Sequence, residues 1–308
     1  MAPPTVMPET SQPNRRVAPL GGDLQLLMTA LIWGSGFVAQ RAASTHVGPL
    51  TFNAVRNAIS VLALLPLVLR WGRRPPAGGF GWLPGIGAGS LAGAALFAGG
   101  WLQQAGIAST TAGNAGFITG LYVIFVPLLA ALGGARLPAS TWPAAGLATA
   151  GLYLLSVTGD WRIGRGDALV LASAGFWSLH VLLVGWLAPR LNPFWLAWLQ
   201  VATATVLSVP LAGALEPISW AAIQAAAWPM LYAGILCGAV AFTFQILGQR
   251  QAPPAHAAIL MSLEAVFAAV FGWLLLDERL GARGMTGAGL MLAGMLVSQW
   301  PQLRRGVV

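Results

Sequence analysis

A single carboxylate, Glu264, stands inside the apolar run LMSLEAVFAAVFGWLLLDERL, and a single arginine, Arg56, stands well inside another, in FNAVRNAIS. A charge at the centre of a bilayer costs roughly 2.5–3.5 kcal/mol on insertion scales, so each needs a partner, a proton or water. On helices that cross in opposite directions the two residues differ in depth by ~7 Å, within reach of two long side chains. Two readings follow. The first is a fixed Arg56–Glu264 pair, or each charge held by local backbone and water, serving the fold alone. The second is a Glu264 that keeps its proton until a cavity wets, and so acts as a proton or substrate-amine site. His180 is a second candidate for coupling, because imidazole is the side chain that ordinarily titrates near neutral pH. A lone histidine is more often a hydrogen-bonded wall residue. His46 and His256 fall near helix ends and receive no role.

Around these groups lie polar and aromatic residues at helical spacing. Thr29, Trp33, Gly36 and Gln40 recur at intervals of 4, 3 and 4 and share one face of the first apolar run. The corresponding face of a later run carries Ser173, Trp177, His180 and Val184. Two further runs bear Gly89, Gly93, Gly100 and Gln104, and Gly234, Gly238, Gln245 and Gln249. Glycines on one face let backbones approach, whereas an amide in lipid seeks a partner or a wet cavity. Phe97, Trp101, Phe242 and Phe244 would add aromatic walls, and Asn114 opens the next run. The expected binding set is Thr29, Trp33, Gly36, Gln40, Phe97, Trp101, Gln104, Asn114, Trp177, His180, Gln245 and Gln249, with Arg56 and Glu264 as a coupling or buried charge pair. Such a pocket suits neutral or aromatic amino acids and similar amphiphilic metabolites. It suits phosphorylated solutes poorly, since no arginine cluster sits at mid-depth.

The elements that position these residues follow from composition. Of 308 residues 57% are apolar and 8% charged, against roughly a quarter charged in a soluble domain. The apolar runs are about 20 residues long and do not alternate, so they read as helices crossing a bilayer. Ten candidate spans emerge, at 23–41, 48–70, 81–104, 111–133, 140–157, 167–188, 192–213, 224–247, 256–277 and 283–300. The net charge of +8 contains no lysine, and is read as loop charge near anionic headgroups, with no nucleic-acid partner. With an inner N-terminus, ten arginines fall on the inner side and five on the outer. This places both termini in the cytoplasm and the chain in a cell's inner membrane. One cysteine, Cys237, excludes a disulfide framework or thiolate metal site. No metal and no cofactor are expected.

Within the chain a shift of 144 superimposes Gly22-Asp23 on Gly166-Asp167, Trp33 on Trp177, Pro49 on Pro193 and Pro66 on Pro210. A shift of 145 matches Gly89 with Gly234, Gly93 with Gly238, Phe97 with Phe242 and Gln104 with Gln249. A shift of 143 lays ARL at 135–137 on ERL at 278–280, Gly146 on Gly289 and Gly151 on Gly294. Glycine coincidences are cheap in a chain with 39 glycines, but tryptophan, proline and glutamine in one frame are not. The expected organisation is a disordered cytoplasmic tail at 1–21, five-helix repeats at 22–158 and 166–300, and a short tail at 301–308. An odd number of spans per repeat inverts the second copy relative to the first, the architecture of alternating access around a midplane site. The fold class is therefore an all-α polytopic membrane protein of ten helices in two inverted repeats. The fifth and tenth spans, with Gly146, Gly151, Gly287 and Gly294, read as peripheral packing or dimer helices, and a homodimer is the candidate assembly.

The segments TAGNAGFITGLYVIFVPLLAALGGARLPASTWPAAGLATAGLYLL and SLEAVFAAVFGWLLLDERLGARGMTGAGLMLAGMLV resemble the paired EamA-type repeats of the drug/metabolite transporter superfamily. The resemblance covers about residues 22–300 and rests chiefly on Ser262-Leu263-Glu264, Glu278-Arg279-Leu280 and the glycines that follow. Ala265 departs from it, standing where these proteins usually carry proline, which loosens the expected kink. The resemblance implies ten helices and secondary transport, commonly export of amino acids or other small metabolites. A multidrug efflux pump for lipophilic cations shares the architecture and would use Glu264 as counter-ion and the tryptophans for cation–π contact. A membrane enzyme acting on lipid-linked substrates is the remaining class. It would need H-E-x-x-H, a Cys/His cluster or G-x-S-x-G, none of which occurs, and no phosphate-binding G-x-x-x-x-G-K-[ST] loop occurs either. Asp277-Glu278 beside Arg279 read as a charged loop.

Overall fold

Proline and glycine punctuate the apolar runs at the places where helices start. Pro49 and Pro193 occupy the first turns of two of them, where the missing N–H costs no hydrogen bond. Asn192 caps the second through bonds from the Phe194 and Trp195 amides. A computed structural model describes residues 20–72, 81–110, 112–156, 164–276 and 281–305, and every element among them is helical. In chain order these are α1 (Leu20–Ala43), α2 (Pro49–Leu67) with a π-helical turn at Val68–Gly72, α3 (Trp82–Ile107), α4 (Ala112–Gly120), α5 (Tyr122–Leu132) and α6 (Thr141–Ser156). The second half holds α7 (Arg165–Leu187), α8 (Pro193–Leu215), α9 (Trp220–Ala225), α10 (Ala227–Tyr232), a π-helical stretch at Ala233–Ala241, α11 (Phe242–Gln249), α12 (Pro254–Met261), α13 (Glu264–Leu276) and α14 (Ala282–Arg305).

Eight of these helical stretches are long and apolar enough to cross a bilayer, so the chain is a multi-pass membrane protein. Their outer faces carry Leu62, Leu132, Val206 and Leu215 at 66–76% exposure, a surface made for lipid. Among the described residues, the expected spans 140–157 and 283–300 are not counted with these eight: α6 is described over 16 residues, up to Ser156, and α14 brings arginine to both of its ends. The two pack along each other. Gly151 of α6 lies against the Gly287 carbonyl and Met291, and Gly294 of α14 against the Ala144 carbonyl. Gly151, Gly287 and Gly294 are thus used in packing within the chain. The tail residues 1–19 and 306–308, Arg162 and the Asp277-Glu278-Arg279 loop lie outside the described residues.

Two spans are broken in the middle. α4 and α5 part at Leu121, and α12 and α13 part at Ser262–Leu263. At both breaks the ladder tightens to i→i+3 bonds: Leu121 N–H to the Ile118 carbonyl (3.2 Å), Leu263 N–H to Leu260 (3.3 Å) and Ala265 N–H to Ser262 (3.2 Å). The second break forms without the missing proline. The Ser262 hydroxyl donates to the Ile259 carbonyl (2.8 Å) and competes with the helix for it.

Close crossings fix the remaining helices. Gly93 of α3 sits against the Gln200 backbone of α8, while Gly234 of the π-helical stretch sits against the Arg56 carbonyl and Ile59 of α2. Gly34 of α1 meets the Glu264 carbonyl and Phe267 of α13. One end of α1 joins the end of α11, where Gly248 packs on the Gly22 carbonyl and Leu26. At its other end Arg41 donates to the Ile107 carbonyl (2.7 Å) beside Thr110, whose hydroxyl donates to Asp167 in the first turn of α7 (2.5 Å). α1 and α7 therefore run in opposite directions.

Candidate functional site

Where the broken spans face α1, α7 and the π-helical stretch, the bundle leaves a partly enclosed chamber. Its walls come from both halves. α1 supplies Trp33, Phe37 and Gln40, α2 supplies Arg56, and α3 to α5 supply Gln103, Thr119 and Tyr122. From the second half come Trp177, His180 and Val181 of α7, Cys237, Phe242, Gln245 and Glu264. Three rings form one wall: Trp33 and Phe242 at 5.2 Å between centroids, Trp33 and Trp177 at 6.4 Å, and Trp177 and Phe242 at 6.3 Å. Trp33 is held from behind, its Nε1–H donating to the Cys237 carbonyl (3.2 Å). The π-helical stretch offers that carbonyl and two others, Ala241 to the Thr29 hydroxyl (3.2 Å) and Gly234 to the Ser60 hydroxyl (2.8 Å). Misaligned i→i+5 turns of this kind free carbonyls for outside donors.

The polar atoms of the chamber are under-used. Both atoms of the Gln245 amide, Trp177 Nε1 and His180 Nδ1 are buried without a hydrogen-bond partner. His180 spends its other nitrogen on Gln200 (2.8 Å), which makes it a wall residue held from the far side. Arg56 uses only Nε, donating to Asn53 Oδ1 (2.8 Å), and lies over the Phe52 ring at 5.3 Å. Glu264 is the first residue of α13, where the positive end of the helix favours a carboxylate. Neither Glu264 Oε1 nor the Tyr122 hydroxyl of the same chamber has a hydrogen-bond partner. Among the described residues Glu264 and Arg56 form no ion pair, and both line the chamber.

Of the expected binding residues, Trp33, Gln40, Trp177, His180 and Gln245 reach the chamber. The other described ones make contacts elsewhere. Thr29 donates to the Gln25 and Ala241 carbonyls, and Gly36 makes room for the Cys237 sulfur. Phe97 and Trp101 stack at 6.1 Å and pack against Leu50, Ala54 and Ala212, and neither lines the chamber. Gln104 donates to the Gln40 carbonyl (3.1 Å) and Gln249 to Val181 (2.9 Å), each stapling two helices. The Asn114 side chain lies outside the described residues. A correction concerns His256. It bonds Asp23 Oδ1 through Nε2 (3.0 Å) and Ser298 through Nδ1 (2.7 Å), tying α12 to α1 and α14.

Comparison with known proteins decides the family. The EamA-like transporter family matches the chain twice, over residues 20–157 and 164–299. The chain belongs to the EamA-like transporter family. Among relatives of this EamA-like transporter, one of Archaeoglobus fulgidus described as an uncharacterized transporter is 30% identical over 90% of the chain and 85% of its own length. A chloroplastic WAT1-related protein of Arabidopsis thaliana is 26% identical over 90% of the chain and 69% of its own. A solved crystal structure matches with a TM-score of 0.73 over 92% of the chain and 98% of its own, at 20% identity, a likeness of fold.

Several lining residues of this EamA-like transporter were absent from the expected set. Phe37 shares the face of Trp33 and Gln40 at spacings of 4 and 3, a signal open to periodicity alone. Gln103, one position from Gln104, donates to Thr119 (3.0 Å) on the opposite wall. Tyr122 and Cys237 had no sequence signal, because their exposure depends on the break at Leu121 and on the π-helical stretch.

Proposed function

We propose that this transporter moves small metabolites, above all neutral and aromatic amino acids, out of the cytoplasm by alternating access. In this reading ten helices cross the inner membrane as two inverted five-helix repeats with both termini in the cytoplasm. The observation that carries it is the Gln245 amide, wholly buried on the wall of a chamber shared by both halves, with neither atom bonded. A buried amide without partners costs about 1–3 kcal/mol or more, which a polar solute beside the three rings would recover. The inversion is supported by the opposite courses of α1 and α7, and by the glycine crossings on Gln200 and Arg56, positions that the shift of 144 relates. The arginine distribution supports the orientation.

A second reading, efflux of lipophilic cations, is favoured by Glu264 standing in the same chamber as Trp33, Trp177 and Phe242. The test is uptake of a labelled amino-acid panel and of tetraphenylphosphonium in proteoliposomes, with and without a proton gradient. Bulky neutral amino acids are the expected cargo, with Trp33→Ala lowering their rate at least tenfold. Transport of the phosphonium alone would turn the assignment to the cation reading.

A further inference from the structure

We infer that Arg56 and Glu264 are the two ends of a zwitterion receptor, Arg56 taking the α-carboxylate and Glu264 the α-ammonium of a single bound amino acid. The inference deepens the reading above and rests on it. Both charged groups line one chamber yet form no ion pair. Arg56 is anchored by Nε to Asn53, which leaves its two terminal nitrogens, a planar fork, without an acceptor among the described residues. Gly100 keeps the space beside that fork open, because a Cβ there would lie 2.8 Å from Nη2. At the other pole the Glu264 carboxyl stands at the start of a half-helix with Oε1 unpaired, in a chamber that also holds the unbonded Tyr122 hydroxyl. The tryptophans and Phe242 share that chamber, a surface for an apolar side chain.

The fold itself does not call for either charge. Gly93 packs on the Gln200 backbone carbonyl as Gly234 packs on that of Arg56, with a Cβ meeting the carbonyl oxygen at 2.8 and 2.7 Å respectively. The position that the shift of 144 relates to Arg56 is thus filled by a neutral glutamine at a glycine crossing of its own. Likewise the first residue after the break is Tyr122 in one half and Glu264 in the other. Two charges where matching positions work without them, neither bonded to the other, are set for a ligand that carries both. Each isolated charge is costly in the bilayer, and a zwitterion neutralises both at once.

Binding to the full-length, detergent-solubilised protein tests this with L-phenylalanine, phenethylamine, which lacks the carboxylate, and 3-phenylpropanoate, which lacks the ammonium. Wild-type protein is expected to bind L-phenylalanine at least tenfold more tightly than either analogue. Arg56→Gln should weaken L-phenylalanine and 3-phenylpropanoate at least tenfold while leaving phenethylamine within twofold. Glu264→Gln should do the reverse. Arg56→Lys and Glu264→Asp keep the charges and should keep the wild-type order of the three ligands. Each pair stands alone, so loss of folding in one leaves the other decisive. Equal weakening of all three ligands, or none, overturns the inference while amino-acid binding stands. Wild-type protein that binds none of the three overturns this inference and the amino-acid reading together.

Discussion

Gly34→Leu is expected to leave little folded protein in the membrane. A Cβ at this position would come within 2.6 Å of the Glu264 carbonyl oxygen and of Phe267 Cβ, and within 2.9 Å of the Ala268 amide. Two of these neighbours are backbone, so no side-chain rotation relieves the clash, and α1 must part from α13. Ordinary overpacking costs about 1–3 kcal/mol, and a wedge against main chain at a helix crossing sits at or above the top of that range. The yield of monodisperse protein on size exclusion should fall at least fivefold. Gly175→Leu on α7, where nothing lies within 4 Å, should behave as wild type. Normal yield of the Gly34 variant would show that α1 and α13 are not locked at this crossing.

Glu216→Ala carries the second large effect. Its carboxylate accepts from the Leu50 and Thr51 amides (both 2.8 Å) and from the Thr51 hydroxyl (2.7 Å). It thereby caps α2 from the far end of α8, because Gly48 at the N-cap position offers no side chain. The partner of the helix dipole and three charge-assisted bonds vanish together. The expected loss is about 2–4 kcal/mol, read as a fall in the thermal unfolding midpoint in detergent. Glu216→Gln, which keeps an acceptor oxygen, should fall by less. Equal midpoints for wild type and the alanine variant would refute the capping role.

The chemistry legible in the sequence was that of residues whose type is expensive in lipid. Arg56, Glu264, Trp33, Trp177, His180 and Gln245 stood out because burial of such groups needs a reason, and each lines the chamber. Thr29, Gln104 and Gln249 carried the same signal but spend it on neighbouring carbonyls. Sequence spacing tells which face a side chain shares, but not whether a carbonyl waits opposite it. The two broken spans were hidden for a different reason. The turns at Leu121 and Ser262–Leu263 lie inside continuous apolar runs, and neither contains the proline that would mark them. His256 was passed over because an end-of-helix histidine gains meaning only from Asp23 and Ser298, both remote in the chain.

Two small fasteners hold opposite ends of α1 and α7. At the N-terminal end Asp23 grips His256 (3.0 Å), and at the other Asp167 grips Thr110 (2.5 Å). Each pins the start of a first-of-half helix to the start of a broken span. Under the alternating access proposed above, undoing one would loosen a single mouth, and Asp23→Asn and Asp167→Asn would become opposing levers on the resting posture of the empty carrier. Cys237, the sole cysteine and a wall residue of the chamber, reports the outcome without an engineered label. An impermeant maleimide should reach it faster in one variant from one side of the vesicle, and in the other variant from the other.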